Sequence, residues 1–107
     1  MANGAKTGDQ SALISMLLDQ MRRCWIPPVE KAHSVTLSFR LSFNQDGTVA
    51  NPPDLLAVVD DPYFRAAADA TRRALYQCAP FSLPKSRYGE WAEIANFAFD
   101  PSALGAN

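Results

Sequence analysis

The chain has one histidine, His33, and two cysteines, Cys24 and Cys78, which stand 54 residues apart. Neither cysteine has a close Cys or His neighbour, so the spacings of a zinc site and of a Cys-x-x-Cys redox pair are both missing. His33 lies in a polar connector without an acidic pair or nucleophile signature beside it, which argues for a solvated loop histidine over a catalytic base. Glycine is scarce, five residues in all, and none form a loop that cradles phosphate. Charge of either sign is also lacking in excess. Ten basic side chains against eleven acidic ones leave a formal charge of -1, too little to hold nucleic acid or an acidic membrane surface. Long apolar runs are absent: the stretch around Leu13 to Leu18 falls far short of the roughly 20 residues of a membrane span. The start, Met1 to Lys6, lacks the apolar core of a signal peptide. These absences leave a soluble domain for which no metal or cofactor is expected.

What is present is order along the chain. The 107 residues are 48% hydrophobic, the size and balance of one globular domain. Residues 1–10 are small and polar and are expected to be a poorly ordered lead-in. From Ser11, Leu13, Ile14, Leu17, Leu18, Met21, Cys24 and Trp25 recur at three- and four-residue spacing, which predicts an amphipathic helix over 11–24 that Pro27 and Pro28 forbid from continuing. The period then switches to two. Val35, Leu37, Phe39, Leu41 and Phe43 alternate with Thr36, Ser38, Arg40 and Ser42, a half-buried strand with one wet face. Asn44 to Gly47 reads as a hairpin turn with Gly47 in the left-handed conformation, and strand chemistry resumes at Thr48-Val49. Pro52 and Pro53 confine that second strand to an edge.

Asp61 and Pro62 open a second helix, one as cap and the other at the first helical position. Phe64, Ala67, Ala68, Thr71, Leu75 and Cys78 form its buried stripe, with an expected Arg65-Asp69 pair on the wet face. As a cap, Asp61 is better explained than as one of a catalytic pair with Asp60. Arg22-Arg23 and Arg72-Arg73 are read as cations complementing helix carboxyl ends, not as a phosphate patch. A turn or short helix near Lys85 to Trp91 precedes a third strand in which Ala95, Phe97 and Phe99 share a face. The order helix, strand, strand, helix, strand with a right-handed crossover puts the first strand in the middle. The expected fold is therefore α+β: a two-layer sandwich with a three-stranded antiparallel sheet ordered 2-1-3 and both helices on one face.

Six pieces in order carry a more specific signal: Cys24-Trp25-Ile26-Pro27-Pro28; the alternating strand ending in Asp46-Gly47-Thr48-Val49; Asp61-Pro62-Tyr63-Phe64 opening an Ala-rich helix; Pro80-Phe81-Ser82-Leu83-Pro84; Trp91; and Phe99-Asp100-Pro101. Together they resemble the C-terminal domain of the TolA family over about residues 11–101, with 102–107 as a tail. The related TonB C-terminal domain is the alternative, an energy-transduction domain that binds an outer-membrane receptor. Its Tyr-Pro motif is replaced here by Trp25-Ile26-Pro27, and Cys24 and Cys78 are not expected in it.

The resemblance implies a non-enzymatic, monomeric interaction module of the Tol-Pal envelope system in the periplasm. It would bind TolB through that protein's amino-terminal segment, support outer-membrane integrity and cell division, and be exploited by colicins and filamentous phage coat proteins. In that family an inner-membrane helix and a helical stalk precede the domain, so the chain is read as an excised terminal domain. An oxidising compartment implies a Cys24–Cys78 disulfide. That bridge requires Ile26 to Ser34 to run extended beside the sheet, since about nine residues at roughly 3.3 Å match the length of a helix of about 16 residues. Trp25 is expected to be a core anchor against Phe81 or Trp91. Partner binding is expected on the third strand, Glu93, Ile94, Ala95, Asn96, Phe97, Ala98 and Phe99, by strand addition, because this edge has no proline before Pro101.

Overall fold

A computed structural model describes residues 2–105, with side chains from Gln10 onward. Three helices, α1 (Ala2–Met21), α2 (Pro62–Gln77) and the one-turn α3 (Tyr88–Trp91), accompany three strands, β1 (Leu37–Ser42), β2 (Asp54–Leu55) and β3 (Glu93–Phe99). The sheet is antiparallel with the order β2-β1-β3, as the connection rules require.

In β1 the alternation holds residue by residue. Leu37, Phe39, Leu41 and Phe43 are buried, whereas Thr36 and Arg40 are exposed and Ser38 and Ser42 half-buried. Against the buried face lie Leu13, Leu17 and Met21 of α1 and Phe64, Ala67, Ala68 and Leu75 of α2, in one continuous core with Trp25, Trp91 and Phe97. Full burial of each large side chain contributes about 2 kcal/mol. The start of α2 follows from its sequence: the Asp61 carboxylate accepts from the Phe64 N–H at 2.8 Å, with Pro62 next in line.

Several expectations need correction. Helix α1 runs from Ala2 to Met21, so it begins inside the polar lead-in and stops three residues before Cys24. The Cys24 N–H closes a final turn onto the Met21 carbonyl at 3.0 Å. The hairpin is looser than its pattern suggests: Val49 makes one bridge to Phe43, and regular pairing waits for Asp54–Leu55, beyond the prolines. Two consecutive residues without amide hydrogens cannot hold a ladder. Arg65 pairs with Asp60 at 2.5 Å, not with Asp69, which bonds Arg72 at 3.0 Å instead. Arg72 and Arg73 precede the last turn of α2, and the Arg72 guanidinium stacks over Phe39, 5.6 Å from the ring centre. After β3, Pro101–Leu104 form a 3-10 turn that buries Leu104, so the core reaches past residue 101. The tail residues 106–107 lie outside the described residues.

Cys24 and Cys78 form a disulfide with their Cα atoms 5.8 Å apart. It joins the carboxyl ends of α1 and α2, and residues 25–36 run without regular structure from there to the start of β1. Trp25 is 7% exposed within the core. Gln20, on α1, grips the following loop with both ends of its amide: Nε2 donates to the Ser82 carbonyl at 2.9 Å and Oε1 accepts from the Ser82 N–H at 2.8 Å. No pattern in the sequence marks Gln20, because the grip depends on a residue 62 positions away.

Candidate functional site

The residues singled out for binding, Glu93 to Phe99, form the whole of β3, on the side of the sheet away from β2. The register of the ladder gives the direction of each backbone group. Leu56 N–H donates to the Ser38 carbonyl and Ala50 N–H to the Ser42 carbonyl, both at 2.9 Å, so Ser38 and Ser42 bond toward β2. Successive residues of an antiparallel strand bond to opposite sides. Leu37, Phe39, Leu41 and Phe43 therefore bond toward β3, and the Phe43 N–H indeed donates to the Ala92 carbonyl at 2.8 Å. Their partners Phe99, Phe97 and Ile94 are consumed by that ladder. Glu93 and Ala98 point their backbone groups outward. Among the described residues no backbone hydrogen bond covers this outer row.

One feature departs from the alternation. Phe39 pairs with Phe97 and Leu41 with Ile94, so Ala95 and Asn96 together face the single residue Arg40 in a β-bulge. The bulge shifts the phase: Ile94, Phe97 and Phe99 are buried, and Ala95, expected on the buried face, is exposed together with Asn96. A bulge is a property of two strands in register, which one strand's sequence does not display.

The second edge differs in character. Pro53 has no donor to offer, and the segment after β2 leaves Leu56, Val58 and Val59 at 41%, 72% and 51% exposure. Asp54 and Asp60, at its two ends, are ion-paired with Arg40 and Arg65.

His33, isolated in sequence, is not isolated in the fold. Its Nε2 meets the Asp61 carboxylate at 2.9 Å, and its ring lies 5.4 Å from that of Tyr63. Asp61 is held below the usual carboxylate range, chiefly by the Phe64 N–H and then by His33. Among the described residues no group of three His, Cys, Asp or Glu side chains stands ready for a metal ion. No helix there is long and apolar enough to cross a membrane.

A family model described as "Uncharacterised conserved protein UCP034077" matches residues 8–95. The chain belongs to this family. Its match spans everything from α1 into β3 and includes both cysteines. No curated protein matches the chain. Among solved structures, the UCP034077 fold is similar to the solution NMR structure of TolAIII bound to a peptide derived from the N-terminus of TolB. The TM-score is 0.53, with 16% identity over 82% of this chain and 71% of that one. At that identity the similarity is one of fold.

Proposed function

We propose that this domain is a protein-interaction module without catalytic activity, and that it binds an extended peptide along the outer edge of β3. The observation that carries this reading is the uncovered row of Glu93 and Ala98 backbone groups on a proline-free edge. Strand addition uses such a row for affinity and the side chains at alternate positions for selection. The bulge at Ala95-Asn96 divides the edge, so regular pairing is confined to the halves on either side of it. Similarity of fold to a TolAIII domain held with a TolB peptide supports the TolB amino-terminal segment as the occupant. The disulfide fits an oxidising compartment such as the periplasm. Placement in a Tol-Pal envelope system follows as part of the same proposal.

Amide hydrogen exchange with and without a TolB amino-terminal peptide tests it. Phe97 and Phe99 are already tied to β1, so the new protection is expected at Glu93 and Ala98. Protection limited to Leu55 to Val59 would move the site to the β2 edge, and no protection anywhere would refute strand addition.

A further inference from the structure

Where the connector before β1 crosses the start of α2 and the end of β3, Ala32, His33, Ser34, Tyr63, Asp100 and Ser102 line an open cavity of about 250 Å³. No lysine or arginine lines it. The Asp100 carboxylate accepts from the Ser102 N–H at 2.9 Å and from the Ser34 hydroxyl at 3.1 Å. These donors, led by the Ser102 N–H, hold Asp100 below the usual carboxylate range despite its partial burial, so it is an anion at neutral pH.

Two consequences follow from elementary hydrogen-bond chemistry. A serine hydroxyl that has committed its proton to a carboxylate has only lone pairs left to offer. Ser34 therefore presents an acceptor, backed by a full negative charge. Tyr63 is 3% exposed, yet its hydroxyl has no hydrogen-bond partner among the described residues and sits within the field of Asp100, which adds to burial in pushing the phenol pKa up. The ring is buried while the hydroxyl oxygen keeps contact with the open side of the cavity, where it can accept from a bound donor. His33, the one basic side chain on the lining, turns its Nε2 to Asp61 at 2.9 Å, so Asp100 and the Ser34 and Tyr63 oxygens present charge and lone pairs to a bound cationic donor.

We propose that this cavity is a binding site for an alkylammonium group carried by a peptide, either a lysine side chain or a free amino terminus, held by the Tyr63 and Ser34 oxygens and the charge of Asp100. The proposal stands apart from strand addition, because none of its groups belongs to the β3 edge. The two are neighbours nonetheless: Asp100 directly follows Phe99, so a peptide running antiparallel along β3 would start at this end of the sheet.

The test is a titration of the 15N-labelled chain at neutral pH with n-butylammonium, with n-butanol as the uncharged control. Saturable shifts are expected at the amides of Ala32, Ser34, Tyr63 and Ser102 with the amine only, and Tyr63→Phe, which keeps the buried ring, should weaken binding about tenfold. Ser34→Ala provides the same reading should Tyr63→Phe fail to fold. Amine shifts no larger than those of butanol, or unchanged in the folded variant, would overturn the site. Three otherwise identical peptides then separate the sources: one with a free amino terminus, one acetylated with a single lysine, and one acetylated without lysine. The responding peptide names the source; if neither amine-bearing peptide exceeds the blocked one, a peptide-borne amine is refuted.

Discussion

A Cβ placed on Gly47 would lie 2.1 Å from the carbonyl oxygen of Phe81, and the Gly47 carbonyl accepts from the Phe81 N–H at 2.9 Å. The hairpin turn and the loop after α2 thus meet backbone to backbone, with Gly47 at φ +90°. Gly47→Ala is expected to cost roughly 2–4 kcal/mol, from left-handed strain and the clash together. Urea unfolding checks this, and a loss under about 1 kcal/mol would show that the loop moves aside freely.

Removal of the disulfide by Cys24→Ser with Cys78→Ser should destabilise the domain by about 4 kcal/mol in the chain-entropy model, given the 54-residue separation. The comparison is between the wild-type protein and the double variant, both in the absence of reductant. Equal midpoints would show that the unfolded chain gains nothing from release of this loop.

Three carboxylates, Asp46, Asp61 and Asp100, sit below the ordinary value, led respectively by bonds from the Thr48 hydroxyl, the Phe64 N–H and the Ser102 N–H. A lowered folded pKa means that the unfolded chain takes up protons first. Their contribution is complete above about pH 4 and is lost as pH falls further. Asp61→Asn keeps an acceptor for the helix start but cannot titrate, so its stability should fall less steeply between pH 5 and pH 2.5 than that of the wild type. An identical acid limb in denaturant melts would remove Asp61 from this account.

The two buried tryptophans differ in hydrogen bonding. Trp91 donates to the Pro84 carbonyl at 2.7 Å, whereas the Trp25 Nε1 has no acceptor among the described residues. Trp91→Phe loses a bond and leaves a carbonyl unmatched; Trp25→Phe loses only volume. The first is expected to cost about 1–2 kcal/mol more than the second. Calorimetric melts of both variants decide it, with the reverse order counting against the assignment.

Legibility in the sequence followed the range of the interaction. Asp61-Pro62 announced the start of α2 because a cap acts within three residues, and the wet and dry faces of β1 were visible because alternation is local. The edge position of β3 could be argued from connection rules alone. The Ala95-Asn96 bulge could not, since it exists only relative to Arg40 across the ladder. Nor did anything near His33 reveal Tyr63 and Asp100, which reach it from the first turn of α2 and the end of β3. Leu104 was read as tail because the few residues from 102 to 107 are too short to show a period, yet it is buried.

The bridge between the carboxyl ends of α1 and α2 also governs how the domain answers tension. The covalent path between the two ends of the chain passes from Cys24 to Cys78 through the sulfurs and bypasses the backbone of β1, β2 and α2, so once β3 has been drawn off β1 a pull no longer reaches them. The 54-residue span between them, about 190 Å of extended contour at roughly 3.5 Å per residue, stays folded or slack however far the ends are drawn apart. Only reduction releases that length, so the oxidised domain is a short, stiff element in a mechanical series and the reduced one a long, compliant element.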